Sequence, residues 1–332
     1  KRSKLIKVEI MSDDEIAGTY NMAADGTLTL ASGGSKTITV TTGSGFDVDN
    51  TADDMSKNAT YAVVAPGTHT FRIRYWLRNT TDNPNGPIAG TVSKIVTLNC
   101  TAGSIHDITA NLNPHDYDGA KYYMWDAKEQ YWKGHEWWSA NKDQSVLNWY
   151  YGRNYPQNDD DPRWYHENGG TGRFDATQSC ATLPNANEMS WYVKYGDPHW
   201  DADEVWTTMG HLYKGGMWFK KKSVLQAEHH YDTEKTESGI DMRASGTGYD
   251  NSSIKSGVPS AADAGNYFYL PALGYYNSGD LNNVGYDGYY WSSSTYPDWY
   301  IDRAYYLSFN SRYITVGNTS RGKGHRIEPT FK

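Results

Sequence analysis

Cysteine is nearly absent. Cys100 and Cys180 are the only two thiols in 332 residues. Their separation fits neither a zinc-ligand pattern nor a disulfide framework, so two buried or unpaired thiols are expected, with a single bridge between the halves as the alternative. Hydrophobic residues make up only 38% of the chain, and no run approaches the 18 apolar residues that a membrane-spanning helix needs. A basic stripe is missing as well. The net charge is −8, divided as −1 over residues 1–113 and −7 over residues 114–332. That balance argues against nucleic acid and anionic membrane as partners.

Catalytic signatures are also lacking. No G-x-S-x-G occurs, and Gly33-Gly-Ser-Lys36 lacks the rest of a phosphate-binding loop. None of the ten histidines forms an H-E-x-x-H or Cys-His cluster. His229 and His230 are adjacent, so they cannot share a helix face and read as a polar loop pair. The expectation is a protein that is not an enzyme and has no cofactor.

What is abundant is aromatic. Tyr (28), Trp (13) and Phe (7) reach 14% of the chain, alongside 32 glycines. Disordered chains are poor in such residues, so the composition indicates an ordered, β-rich, turn-rich protein. A chain of this length predicts two domains. Lys1-Arg2-Ser3 is an unusual start, which suggests a processed or truncated product.

Residues 1–113 alternate apolar and polar in short runs: Lys4–Ile10, Lys36–Thr41, Tyr61–Ala65, Thr70–Trp76, Val92–Leu98 and Ile105–Leu112. Turn signals at Asp25-Gly26, Gly33-Gly34, Pro66-Gly67, Asn85-Gly86 and Gly103 separate them. Six or seven strands at this spacing predict an all-β sandwich of Greek-key type. Composition shifts at Pro114, with 114–120 as a linker-like approach to the second domain, 114–332. There, Tyr131–Trp138 is Trp-rich, Asn158–Pro162 and Gly169-Gly170 read as an exposed loop, and 237–260 is Ser/Gly-rich loop. Asn185, with Glu188 three residues on, predicts a capped helix. Asp201–Met209 predicts a second short helix, its acids near the positive end. Lys220–Lys222 closes a Trp-Phe strand. Few helices followed by many strands make this half α+β.

The first half resembles the fimbrillin family, subunits of type V pili on Gram-negative surfaces. The resemblance rests on Ile16-Ala-Gly-Thr-Tyr20, the strand entering Pro66-Gly67, and Gly103-Ser-Ile-His-Asp-Ile-Thr-Ala-Asn-Leu112. It covers one pilin domain, where a typical subunit has two behind a lipidated leader. The second half resembles a FISUMP-type major paralogous domain, similar in pattern to C-type-lectin-like folds. Here the carrying residues are Cys180-Ala-Thr-Leu-Pro-Asn-Ala-Asn-Glu188, Tyr269–Tyr275, Tyr289-Tyr-Trp-Ser-Ser-Ser294, Ala304–Asn310 and Gly322-Lys-Gly-His-Arg326. The family often has a second Cys near the end; this chain reads Ile327-Glu-Pro329, so Cys180 is left alone. Formylglycine-generating enzymes share the broad architecture, but their chemistry needs reactive thiols that a solitary Cys180 does not supply.

These resemblances imply a cell-surface or pilus-tip adhesin on a Gram-negative bacterium, exported to the outer membrane. Its partners would be other pilus subunits and a glycan or surface protein. A structural pilus subunit without its own ligand is the alternative, and a surface-glycan enzyme using a pair from Asp280, Asp287, Asp298 and Asp302 is the third reading. Asp residues in Tyr-rich turns more often serve the backbone. Asp159, Asp160 and Asp161 offer oxygen ligands for calcium but lack the spacing of an EF-hand. Trp291, at the densest aromatic point, is expected in the core. The recognition surface is expected instead at the loop aromatics Tyr286, Tyr296, Trp299 and Tyr300. Asn282, Asn283, Asp287, Asp298 and Asp302 would supply hydrogen bonds.

Overall fold

The computed structural model describes residues 3–48, 55–79, 87–167, 173–297 and 302–328. It is mostly β-sheet with few short helices. Two compact units are formed: Lys1–His115 with Asp203–Val205 and Pro259–Gly265, and Asp116–Ala202 with Trp206–Val258 and Asn266–Lys332. No helix among the described residues is long and apolar enough to cross a membrane.

The first unit contains β1 (Ser3–Ser12), β2 (Ala17–Met22), β3 (Leu28–Ser35), β4 (Thr37–Asp47), β5 (Gly67–Asn79) and β6 (Ala89–Cys100). Strands β6, β5, β1 and β4 lie side by side in that order, all antiparallel, while β2 and β3 form a separate ribbon. The alternation in Lys4–Ile10 puts Leu5 and Val8 inside, with Phe71, Ile73 and Leu77 of β5 and Val92 of β6. On β1 and β5, Lys7 lies over the Trp76 ring and Trp76 Nε1 donates to Glu9, so cross-strand pairing also stabilises the polar side.

Two expected strands do not form. Tyr61–Ala65 and Ile105–Leu112 run outside any strand, and Tyr61, Val63 and Ile105 are exposed. Alternation alone does not make a strand: Ala65 N donates to Ile16 O, but no continuing ladder follows. Gly33-Gly34 lies within β3 rather than at a turn, and its left-handed Gly33 accompanies a shift in the β2–β3 register. The Asn85-Gly86 and Gly169-Gly170 signals lie outside the described residues.

In the second unit the chain passes through β7 (His115–Asp116) and β8 (Tyr122–Tyr123) to α1 (Ala186–Tyr195). The capping box is formed as its spacing predicts: Glu188 N donates to the Asn185 side chain, and Asn185 N to the Glu188 carboxylate. β9 (His199–Thr208) replaces the second helix expected at Asp201–Met209. Met209 and Gly210 both have positive φ, the geometry of a two-residue hairpin turn, and it leads straight into β10 (His211–Lys220). Acids at 201, 203 and 204 imitate a helix start, but the hairpin decides the local structure.

After α2 (Lys222–Ala227) and the short β11 (Tyr249–Asn251) and β12 (Lys255–Ser256) come β13 (Tyr267–Pro271), β14 (Leu273–Asn277) and β15 (Asp280–Val284). The chain ends with β16 (Gly288–Thr295), β17 (Arg303–Phe309), β18 (Ile314–Ser320) and β19 (His325–Arg326). The order β11-β18-β17-β16-β14-β15 makes one sheet, with β15 at its edge. Met189, Tyr192 and Val193 of α1 bury against Leu307, Phe309, Ile314 and Val316. Trp291 is fully buried beside Trp125, Cys180 and Leu183, as its strand position predicts. Both cysteines are free and buried.

Candidate functional site

The expected recognition residues fall into two groups at opposite ends of the β16–β17 hairpin. Gly288 pairs with Phe309 at one end and Thr295 with Ala304 at the other, a strand length of about 20 Å. Asn282, Asn283, Tyr286 and Asp287 precede the first end. Tyr296 and Asp302 flank the second. Asp298, Trp299 and Tyr300 lie outside the described residues.

At the first end Asp287 is committed to its own turn. Asn283 Nδ2 donates to one carboxylate oxygen at 2.7 Å and Asn310 Nδ2 to the other at 2.9 Å. The backbone N–H groups of Tyr286 and Asp287 both donate to Asn283 O. Burial pushes the Asp287 carboxyl up, and the two amide donors only partly offset it. Asn283 holds a left-handed φ of 61°, and Asn282 Nδ2 donates to Asp280 O. Tyr286 is the exposed side chain of this turn. At the second end, Tyr296 is half-buried edge-on against Tyr305, and Asp302 O accepts Arg321 N. These two are held by the fold.

Among the described residues, a run of three exposed aromatics lies away from the expected recognition loops: Trp149, Tyr150 and Tyr151 are 73%, 63% and 57% exposed. They are laid along β15. Asn148 forms a two-point clamp, its Nδ2 donating to Val284 O at 2.9 Å and its Oδ1 accepting Val284 N at 2.8 Å. Trp149 N donates to Leu281 O, Leu281 N donates to Tyr150 O, and Tyr151 bridges Asp280. Trp149 has φ 67°, an uncommon conformation for a bulky residue, costing about 1–3 kcal/mol. Its indole gains little burial in return, so the clamp sustains the strain from elsewhere in the fold.

Beside this strip lies a cleft of about 520 Å³, bounded by residues 137–151 and the Met209–His211 turn. Its floor is fixed from beneath. Gln144 accepts Trp137 N and donates to Gly119 O; Tyr276 OH donates to Ser145 O, and Tyr213 OH to Val146 O. Asp143 Oδ2 accepts Arg153 N, Asn154 N and Asn154 Nδ2, which ties the far side. The signal available in sequence was the Trp-rich tract continuing into Asn148-Trp-Tyr-Tyr151.

The acidic loop is not built for calcium. Asp159 and Asp160 are exposed, and Asp161 is held by Arg163 at 2.6 Å. Burial raises the Asp161 carboxyl, but the Arg163 hydrogen bonds outweigh it and bring it below its ordinary value. Among the described residues no group of three or more His, Cys, Asp or Glu could hold a metal ion. The buried Asp126 is likewise a structural centre. It accepts Thr177 N, Gln178 N and Cys180 N together with His166 Nδ1, and its own N–H points at Cys180 Sγ. Burial drives the Cys180 thiol up, away from reactivity.

Residues 251–329 match a family described as a domain of unknown function, DUF8237. No curated protein and no solved structure matches the chain. The matched segment includes β13 to β19 and the Tyr286 turn; Trp149, Tyr150 and Tyr151 precede it.

Proposed function

We propose that the chain is a surface adhesin of a Gram-negative bacterium, presented at or near a pilus tip. In this reading the first unit is a Greek-key sandwich of the fimbrillin kind and the second a lectin-like recognition domain. The observation that carries the adhesive role is the clamped, exposed strip Trp149–Tyr151. Three large rings stay mostly in solvent, Trp149 on a left-handed backbone and Tyr151 edge-on to Tyr155, and such rings suit a binding surface. Tyr286, already among the expected recognition residues, supplies a further exposed ring, so the proposed recognition surface is extended to β15.

The test is adhesion of purified protein to arrayed glycans and immobilised surface proteins, with Trp149→Ala and Tyr286→Ala alongside. Retained fold with at least tenfold weaker adhesion supports the reading. Undiminished adhesion by both variants would overturn Trp149 and Tyr286 as the contacts, and no adhesion by the wild type would overturn the adhesive role. The alternative, a structural subunit, is favoured by the exposed Tyr61, Val63 and Ile105 on segments outside any strand. It predicts no adhesion to any arrayed target, together with incorporation along purified filaments.

A further inference from the structure

We infer that the cleft between residues 137–151 and the Met209–His211 turn binds a short, neutral saccharide without calcium. This rests on the recognition role proposed for the second unit, but it names a different set of residues and a ligand class.

Three features point the same way. The first is shape and volume: about 520 Å³ lies within the roughly 300–1,000 Å³ range of small-molecule sites, and the cleft is open to solvent rather than enclosed. A short oligosaccharide with its chain ends in water fits such a trough.

The second is the lining. Trp137, Tyr150 and Tyr151 contribute rings. A pyranose presents an apolar face of C–H groups and a rim of hydroxyls; ring faces match the former, and the phenol hydroxyls, Ser145 and Lys142 match the latter. Its titratable side chains besides the tyrosines are one lysine (Lys142), one aspartate (Asp143) and one histidine (His211). One oxygen of Asp143 already carries three N–H donors. No cluster of like charge in the lining selects an anion or a cation. A mostly apolar peptide would want aliphatic walls, which only Val146, Leu147 and Met209 provide.

The third is preorganisation. Gln144, Tyr213 and Tyr276 fix the floor through buried hydrogen bonds, and His135 O accepts both Asp143 N and Gln144 N. A site held in this way loses little entropy on binding. Independence from calcium follows from the lining itself, which supplies a single carboxylate where calcium takes six to eight oxygens.

The experiment is calorimetric titration of the full chain with neutral hexose and N-acetylhexosamine oligomers and with sialylated and sulfated ones, each with and without EDTA. Tyr150→Ala, Tyr151→Ala and Tyr150→Phe are compared after their melting temperatures are matched to wild type. The expected result is binding of a neutral oligomer, unchanged by EDTA, weakened at least tenfold by either alanine variant and largely kept by Tyr150→Phe. Binding that survives both alanine variants but is lost in Tyr286→Ala would overturn the cleft while leaving the adhesive role standing. Binding only of charged oligomers, or only with calcium, would overturn the ligand class. If no oligomer binds while the protein still adheres to an immobilised surface protein through Trp149, the saccharide inference fails alone; if adhesion is absent too, both fail.

Discussion

His325 shows how far a single residue can depart from its ordinary chemistry. It is 1% exposed and sits in an aromatic box: stacked on Trp291 at 4.1 Å, with Tyr275, Tyr289 and Tyr306 between 5.2 and 5.7 Å. Neither ring nitrogen has a hydrogen-bond partner among the described residues. Burial, reinforced by the charge of Lys323, holds its pKa well below 6.5. The native state therefore keeps His325 neutral while the unfolded chain protonates it below about pH 6.5. Protons then favour the unfolded state, so stability falls as pH drops from 6.5, by up to about 1.4 kcal/mol per pH unit. His325→Phe should remove that slope and be neutral or stabilising at pH 5, because two unsatisfied nitrogens vanish. Denaturant unfolding at pH 5, 6, 7 and 8 checks this; equal slopes in both proteins would refute it. The burial of Trp291 was legible in sequence because a strand Trp is highly buried on average, although β16 does not alternate and Tyr290 is buried as well. The box around His325 was not, since its walls come from β14, β16 and β17.

At the scale of elements, local signals were read correctly where three or four residues decide the outcome, as in the Asn185–Glu188 cap. They misled at Asp201–Met209, where the Met209-Gly210 turn at its end overrode its charge pattern. The clamp that presents Trp149 joins Asn148 to Val284, 136 residues apart, and no local pattern encodes such a pair. One point in that assembly is testable through glycine. Ser278 and Gly279 have φ of 49° and 87° and join β14 to β15 in a two-residue turn of the primed type. A Cβ on Gly279 would lie 2.0 Å from Gly152 O, where Gly152 N also donates to Gly279 O. Gly279→Ala should then cost about 3 kcal/mol from backbone strain and overpacking, and should move the 149–152 strip off β15. Ser278→Asn, which suits the same turn, should cost nothing and serves as the control. Chemical denaturation gives the stabilities, and quenching of Trp fluorescence by acrylamide reports the strip. A loss under 1 kcal/mol for Gly279→Ala would show that the turn relaxes freely.

At the scale of the whole molecule, the β-rich character and the separation into a strand-rich first part and an aromatic second part follow from composition, but the unequal cores were visible only in the structure. Among the described residues the first unit buries a modest set: Leu5, Val8, Ile16, Phe71, Ile73, Leu77, Val92, Cys100, Val205 and Ala261. The second has three clusters among the described residues, with Trp125, Trp132, Trp206 and Trp291 all fully buried. Buried apolar area is the main favourable term in folding, so the first unit should unfold at lower denaturant. The chain carries its own reporters for this. Cys100 lies in the first unit and Cys180 in the second, and burial raises both thiols, so neither reacts readily in the native state. Of the 13 tryptophans, all but Trp76 fall in the second unit, so fluorescence follows that unit almost alone. In a Cys180→Ser chain, labelling of Cys100 by a thiol reagent should reach half-completion at lower denaturant than the fluorescence change. In a Cys100→Ser chain, labelling of Cys180 should coincide with it. Coincidence of all three transitions would instead mean one cooperative unit, and the smaller core of the first unit would then not set its stability.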